Sequence, residues 1–487
     1  MDLAWVDEFW SKAGTHVFAR EEDGVLILPP NRVYKANSTA ASLVAYLKKG
    51  GKASKLTLPG KAARDDVASF FGDLAALYRG DEPKNGTVSS APYDFAFTRL
   101  PVLAELAVTY RCNNACRFCY AGCNAGCVTG CGDGCGDGSG PGNRPGSTLQ
   151  SPADDAAARR PELSTAKLKH IIDIFAREAR VPFFSFTGGE PLLRDDLEVL
   201  VRHAQRLDLS TNLVTNGTLL TPSRARSLAK AGLGSAQVSI EAPSAALHDS
   251  LTGRHGAFEE TVAGIAALKS AGIPVQTNTT ITRENMAVAA EMPAFLAGIG
   301  IARFAMNLFI PTVPGTQADR LFVSYTETGA IVDAVIAAAR KAGLVFYWYS
   351  PTPFCHYNPI ARGLGNKSCA AADGLLSVAP DGSVLPCSSW DEPIGMLLRD
   401  DFTDLWFSSA AAFYKQKRFA PQECGGCPSF VACQGACPLY WRYAGTGELT
   451  TDAKLLDPDE GTATRTADLT SAPPAYPVGA IPERSFP

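Results

Sequence analysis

Three thiols fall within eight residues at Cys112, Cys116 and Cys119, in the stretch YRCNNACRFCY. A C-x3-C-x2-C spacing can hold three corners of a 4Fe–4S cube, and nothing local supplies a fourth ligand. Such a cluster keeps one iron open to a substrate or cofactor, whereas an electron-transfer cluster usually takes four thiolates. The triplet directly follows an apolar run, LAELAVTY, so it sits on the loop at a strand's C-terminal end. Ligands bind at that end of the strands in parallel α/β architectures.

The remaining cysteines favour inorganic ligation over disulfides. Fourteen occur in 487 residues, seven between Cys112 and Cys135 and seven between Cys355 and Cys437, so two separate sites are expected. The start, MDLAWVDEFW, carries acids and no basic segment, so no secretory signal is read. No apolar run is read as reaching the roughly 18 residues of a membrane span. A net charge of −4 offers no basic footprint for nucleic acid. The expectation is a cytoplasmic protein.

Residues 1–92 read as a small α+β unit ending in a Pro/Gly linker. HVFAR and VLILPP flank an Asp23-Gly24 hairpin signal, and Asn37 or Ser38 can cap a helix. Val67, Phe70, Phe71, Leu74, Leu77 and Tyr78 share one face of a second helix. From 93 to 345, six candidate strands (LAELAVTY, VPFFSF, LSTNLVT, SAQVSIE, IPVQTNTTI, IARFAMNLF) alternate with amphipathic helices. That rhythm predicts a parallel sheet with crossover helices, as a partial barrel. Residues 121–160 interrupt it with a Gly/Cys-rich insertion, and 451–487 reads as a disordered tail.

Polar residues gather at the other strand ends. The second strand runs into Thr187-Gly188-Gly189-Glu190-Pro191, the third into Thr215-Asn216-Gly217-Thr218, and the fourth carries Ser239 and Glu241. Paired glycines let backbone carbonyls approach a ligand closely, and Glu190 adds an acceptor suited to an ammonium group. Together with HDSLTGRHGAF at 248–258, these segments resemble the radical S-adenosylmethionine (SAM) enzymes over about 200 residues. The resemblance implies that Cys112, Cys116 and Cys119 bind a 4Fe–4S cluster whose open iron is chelated by SAM. Gly188, Gly189 and Glu190 would receive the methionine ammonium, Ser239 the ribose or carboxylate, and Arg254 the carboxylate. Asn216 would lie near the same cofactor, and Tyr120 could pack on adenine.

The later cysteines read Cys369-x12-Gly382-x4-Cys387, then Cys424-x2-Cys427-x5-Cys433-x3-Cys437. LLSVAPDGSVLP between the first two predicts a hairpin around Pro380-Asp381-Gly382. Residues 346–450 resemble the SPASM extension of radical SAM proteins, which holds one or two auxiliary iron–sulfur clusters. From that resemblance, Cys369, Cys387 and Cys437 share the first, with Cys355 as upstream fourth ligand; Cys424, Cys427 and Cys433 hold the second. No cysteine follows Cys437, so the second cluster would take Asp452, Asp457 or Asp459, or keep an open iron. A structural zinc ribbon is the alternative. Cys123, Cys127, Cys131 and Cys135 either hold a further metal or belong to an inert insertion.

VLILPPNRVYKANSTAASLVAYLKKGG is similar to the winged-helix-like peptide-recognition domain exemplified by the peptide chaperone of pyrroloquinoline quinone biosynthesis. That domain binds a leader peptide as an added strand. The chain is thus identified as α/β: a partial (β/α)6 radical SAM barrel with an N-terminal winged-helix-like α+β domain and a C-terminal Cys-rich SPASM domain. The implied function is radical maturation of a precursor peptide, with a reductant such as flavodoxin or ferredoxin. Alternatives are haem-pathway or other small-molecule chemistry, sulfatase-maturase-like oxidation, and a non-catalytic electron-transfer or peptide-binding protein. The GGEP and TNG segments argue against the last, since an electron carrier has no use for a cofactor ammonium site.

Overall fold

The computed structural model describes residues 2–28, 32–79, 81–89, 99–122, 161–312 and 316–452. Cys123, Cys127, Cys131, Cys135, Asp457 and Asp459 lie outside the described residues, as do nearly all of the expected insertion and tail.

At the N-terminus, β1 (Phe18–Arg20), β2 (Val25–Leu28) and β3 (Arg32–Lys35) form an antiparallel three-stranded sheet in that order. It packs with α1 (Ala4–Ala13), α2 (Ser38–Lys48) and α3 (Gly60–Arg79). Asn37 caps α2, its side chain accepting the Ala40 N–H at 2.8 Å and satisfying one orphan donor of the first turn. The helical stripe of α3 buries Val67, Phe70, Phe71, Leu74 and Leu77 in a core of its own with Val6, Leu26 and Val44.

The larger sheet has ten strands, with β4 (Leu103–Thr109), β5 (Phe183–Gly188), β6 (Ser210–Thr215), β7 (Ser235–Ser239), β8 (Val275–Ile281), β9 (Arg303–Leu308) and β10 (Val345–Trp348) side by side and parallel. Connections carry α4 (Thr165–Arg177), α5 (Leu197–Gln205), α6 (Pro222–Ala231), α7 (Ala245–Thr252), α8 (Ala257–Ser270), α9 (Met292–Gly298), α10 (Thr316–Leu321) and α11 (Tyr325–Ala342). Beyond β4 the sheet continues through β11 (Leu375–Val378), β12 (Ser383–Leu385) and β13 (Gly395–Met396). The β11–β12 hairpin turns where Pro380-Asp381-Gly382 predicts it, and β11 runs parallel to β4.

Two features go beyond the sequence reading. First, it stops at six barrel strands, and the structure adds β10, whose backbone pairs with β9. Its sequence, VFYW, is too short to alternate visibly. Second, among the described residues one helical stretch, Ala318–Ala342, is long and apolar enough to cross a membrane by length and composition. Its Val332, Val335 and Ala339 are buried in the barrel's main core, so apolarity there serves packing against the sheet.

One side chain clasps the two sheets' units together. Arg20, 2% exposed at the end of β1, pairs with Asp23 at 2.6 Å. It also donates to the carbonyls of Pro101 (2.7 Å) and Leu100 (3.0 Å), just before β4. Asp23 in turn accepts the Arg99 N–H at 3.0 Å. Arg20→Ala would strand a buried carboxylate and these carbonyls, a loss of about 3–5 kcal/mol. Chemical denaturation of the purified chain is expected to show an early transition for the N-terminal unit; an unchanged midpoint would contradict the clasp.

Candidate active site

The loop after β4 carries Cys112, Cys116 and Cys119 and is gripped from both flanks by backbone. On one side the Gly189 N–H donates to the Thr109 carbonyl and the Glu190 N–H to the Arg111 carbonyl, each at 2.8 Å. On the other, the Ala115 N–H reaches the Thr252 carbonyl at 2.9 Å and the Arg117 N–H the Leu251 carbonyl at 3.0 Å, both at the end of α7. A forked Arg117–Glu284 pair, at 2.7 and 2.5 Å, ties the loop to the segment after β8. Glu162 closes over the loop's start, accepting from Arg111 at 2.8 Å, from Arg194 at 3.2 Å and from the Thr109 hydroxyl.

The paired glycines are explained by this grip. Gly188 has φ +135°, and a Cβ there would stand 2.0 Å from the Thr109 carbonyl oxygen. A Cβ on Gly189 would stand 2.2 Å from that of Arg111. Only glycine lets the two strand ends approach so closely. The sequence reading expected these glycines to open room for a ligand; the closest surfaces they admit are the cluster loop's own.

Glu190 is fully buried and already engaged. Oε1 accepts from the Thr215 hydroxyl at 2.7 Å and the Leu192 N–H at 3.0 Å, and Oε2 accepts the Asn216 N–H at 2.8 Å. It therefore braces β5 against β6, and burial pushes its carboxyl up to about 7 despite those donors. Asn216 turns its amide nitrogen toward Asn113 Oδ1 (2.9 Å) and Cys112 Sγ (3.9 Å). Arg254 reaches the Asn113 carbonyl at 3.4 Å but is paired with Glu260 at 2.7 Å. Ser239 ends β7 half-buried. Tyr120 packs with Ala107, Tyr110 and Leu385 beside Cys119.

The three thiols are close enough to feel one another. Burial pushes Cys112 up to about 11, and Cys116 rises well above its ordinary range through burial and the charges of Cys119, Glu241 and Cys112. Glu241, buried at the end of β7, is itself pushed up to about 8 by burial. Without iron, Cys112 and Cys116 keep their protons, so metal must displace them on binding. Cys112 Sγ accepts the Asn114 N–H at 3.4 Å, a donor that suits a sulfur carrying cluster charge. The donor set fits a 4Fe–4S cube.

A corresponding pattern appears in the C-terminal half. The Phe354 N–H donates to Cys433 Sγ at 3.4 Å, and Asn366 Nδ2 to the Ala432 carbonyl at 3.0 Å. Cys355 is thereby laid beside Cys433 and Cys427, whose charges it feels; Cys424 feels all three. Cys387 and Cys437 instead feel Cys369. Among the described residues no three His, Cys, Asp or Glu side chains converge tightly enough for a single metal ion.

The barrel interior is polar. Leu106 and Val108 pack outward into the helix-side core, so Glu105 points inward by strand alternation. Asn212 Nδ2 donates to Ser185 Oγ at 3.2 Å, Gln276 Nε2 to the Tyr349 hydroxyl at 2.7 Å, and Asn278 Nδ2 to Asn307 Oδ1 at 2.8 Å. Closed (β/α)8 barrels usually fill this space with branched aliphatics. Amides and hydroxyls here can meet the hydrogen bonds of a polar substrate. Lys367 adds a cation over the Tyr349 ring at 5.9 Å, its ammonium pushed down to about 8 by burial.

Fold and thiol loop define a class: parallel-barrel enzymes that couple a site-differentiated iron–sulfur cluster to a nucleotide. The Radical SAM superfamily profile matches residues 106–292, and that of an iron–sulfur cluster-binding domain, SPASM, matches 369–428. The chain is 31% identical over 295 residues to the AdoMet-dependent heme synthase of Oleidesulfovibrio alaskensis, covering 56% of this chain and 74% of the relative. It is 30% identical over 312 residues to the PqqA peptide cyclase of Methylocella silvestris, covering 62% and 80%. Crystalline Streptococcus suis SuiB shares the fold with a TM-score of 0.58 at 16% identity, covering 87% of this chain and 95% of SuiB. The chain belongs to the radical SAM superfamily. It is an enzyme that uses 4Fe–4S clusters and SAM.

Arg117, Glu162, His248 and Glu284 were not singled out from sequence, since single charged residues carry no pattern. His248 Nδ1 accepts the Glu241 N–H at 3.1 Å, which fixes α7 against the end of β7. Burial holds this imidazole neutral, down to about 4. A depressed histidine contributes stability above its unfolded value of about 6.5, lost as pH falls toward 4. His248→Gln should remove that part of the acid sensitivity. Unfolding midpoints measured from pH 7 to pH 4 should fall less steeply in the variant; parallel curves would contradict this assignment.

Proposed function

We propose that the enzyme matures a ribosomally made precursor peptide, presented to the barrel by its N-terminal unit. The division into residues 1–92, 93–345 and 346–450 follows that reading. The observation that carries it is the sheet edge at β3. Lys35 exchanges backbone hydrogen bonds with Ser89, at 2.9 and 3.3 Å, on the side away from β2. By strand alternation Val33 turns its N–H and carbonyl to that same side. A peptide added as a strand at such an edge gains affinity from its backbone and selectivity from side-chain pockets. The likeness to SuiB, solved with its precursor peptide SuiA, supports the fold of this arrangement, since it covers more of the chain than the two matched segments. The heme synthase relatives favour a second reading, small-molecule chemistry, which leaves the N-terminal edge without a task.

When bound and reduced, the Cys112–Cys116–Cys119 cluster supplies the electron that cleaves SAM to methionine and a hydrogen-abstracting 5′-deoxyadenosyl radical. The chain's own work is placement. Gly188, Gly189 and Glu190 would receive the SAM ammonium through their backbone, with Glu190 holding β5 and β6 in register. Asn216, Ser239 and Tyr120 would flank the nucleotide, and Arg254 would take its carboxylate by exchanging Glu260. The polar lumen orients the peptide, and Tyr347, Tyr349 and Lys367 close one side of it. A low-potential donor such as flavodoxin or ferredoxin would deliver electrons in the cytoplasm.

Two outcomes test the reading. Cys116→Ala should abolish 5′-deoxyadenosine formation in anaerobic assays with SAM and reductant, while the parent forms it; equal yields would contradict it. Val33→Pro removes the outward N–H without touching the β2 ladder. It should weaken binding of a fluorescein-labelled precursor peptide at least tenfold by fluorescence anisotropy, with circular dichroism unchanged. Unaltered affinity would remove the edge from the account.

A further inference from the structure

The indole nitrogens of the barrel and its C-terminal extension find acceptors, with one exception. The Trp348 ring N–H donates to the Thr352 hydroxyl at 2.9 Å, that of Trp406 to the Arg99 carbonyl at 3.1 Å, and that of Trp441 to the Gly435 carbonyl at 2.6 Å. Trp390 Nε1 is buried and meets no acceptor among the described residues. A buried donor left unmade is costly, so such an atom points to a partner that belongs beside it.

The surroundings of Trp390 are thiols and rings. It stands three residues after Cys387, and its backbone N–H closes the turn on the Cys387 carbonyl at 3.0 Å. The Ala372 N–H donates to the Pro386 carbonyl at 2.8 Å, which brings Cys369 and Cys387 to the same end of the β11–β12 hairpin. The indole packs in one cluster with both cysteines, Tyr414 and Phe419. Tyr414 meets it edge to face at 5.6 Å, and the Arg442 guanidinium lies over its face at 5.7 Å. Glu392, two residues on, is exposed and turned to Arg442 at 3.6 Å. Backbone N–H groups already serve both sulfurs, from Ala371 to Cys369 and from Ser389 to Cys387.

We propose that Trp390 is a positioning residue for auxiliary iron–sulfur chemistry: its indole N–H donates to a sulfur of the cluster that Cys369 and Cys387 help to hold. The SPASM profile over 369–428 calls for iron and sulfide in this domain, and a cube carries sulfide acceptors besides its thiolates. Hydrogen bonds to cluster sulfur stabilise the reduced, more negative state and raise the potential. Tyr414 and Arg442 hold the ring between them, so the donor is aimed before iron arrives. Trp390 thus acts on the reaction through the ease with which this cluster takes an electron.

This role rests on the SPASM reading, and its readouts need neither substrate nor turnover. The full chain carrying Cys112→Ala, Cys116→Ala and Cys119→Ala keeps only auxiliary iron. Cells fed [15N]indole label the tryptophan ring nitrogens alone. After reconstitution and reduction, electron–nuclear double resonance should show 15N coupling to an auxiliary cluster, and Trp390→Phe should remove it. In potentiometric titrations followed by electron paramagnetic resonance, Trp390→Phe should lower one auxiliary midpoint. At the original midpoint the oxidised-to-reduced ratio should rise about tenfold, which is about 59 mV for one electron. Trp390→3-benzothienylalanine replaces the N–H by sulfur on the same ring frame and should give the same shift, which separates the donor from ring packing. A midpoint unmoved by that isostere overturns the proposal, as does a reduced auxiliary cluster without 15N coupling, whether or not Trp390→Phe folds. Auxiliary iron absent while the unsubstituted chain still forms 5′-deoxyadenosine overturns it too, and leaves the radical chemistry standing. Coupling present while that chain forms none supports the role of Trp390 and counts against the radical chemistry instead.

Discussion

Four backbone hydrogen bonds hold the loop of Cys112, Cys116 and Cys119 between the end of β5 and the end of α7. Gly189 and Glu190 donate to it from one flank; Ala115 and Arg117 donate from it on the other. Backbone bonds fix direction as well as distance, so the path of the loop is set by its two neighbours. The rest of the rim takes its place from this loop. Glu190 can brace β5 against β6 because its own N–H is spent on Arg111, and Asn216 can face Cys112 because Glu190 holds its N–H.

The same economy of contacts makes the barrel's rim unusually rich in buried carboxyls. Glu190 and Glu241 sit near sulfur in a poorly solvated region, and both are pushed upward in pKa by burial. A cluster with its iron cations changes that balance, since bound metal inverts the local charge logic. Below the rim, amides and hydroxyls replace the aliphatic layers of a packed barrel. The lumen thus gives up packing energy and gains donors and acceptors for a polar guest. The β11–β12 hairpin, paired to β4, brings the auxiliary thiols to that lumen without a separate linker.

Much of this was legible in the residues. The thiol triplet, the strand-end glycines and the alternation of strand and helix all have fixed spacings, and they specify both the barrel and its active rim. HDSLTGRHGAF stood out as a segment, although its task, gripping the cluster loop through Leu251 and Thr252, appears only in three dimensions. Long-range pairings were not legible. Arg20 reads as the end of a hairpin strand, yet it spans two sheets. Strand β10 escaped notice because four residues flanked by aromatics show no period.

Mössbauer spectroscopy on the chain reconstituted with 57Fe tests the central claim most directly, because it sees individual iron sites. Addition of SAM should move the isomer shift of one iron in the Cys112–Cys116–Cys119 cluster toward higher coordination, and leave the auxiliary irons as they were. A spectrum indifferent to SAM, from protein with full iron content, would contradict the account.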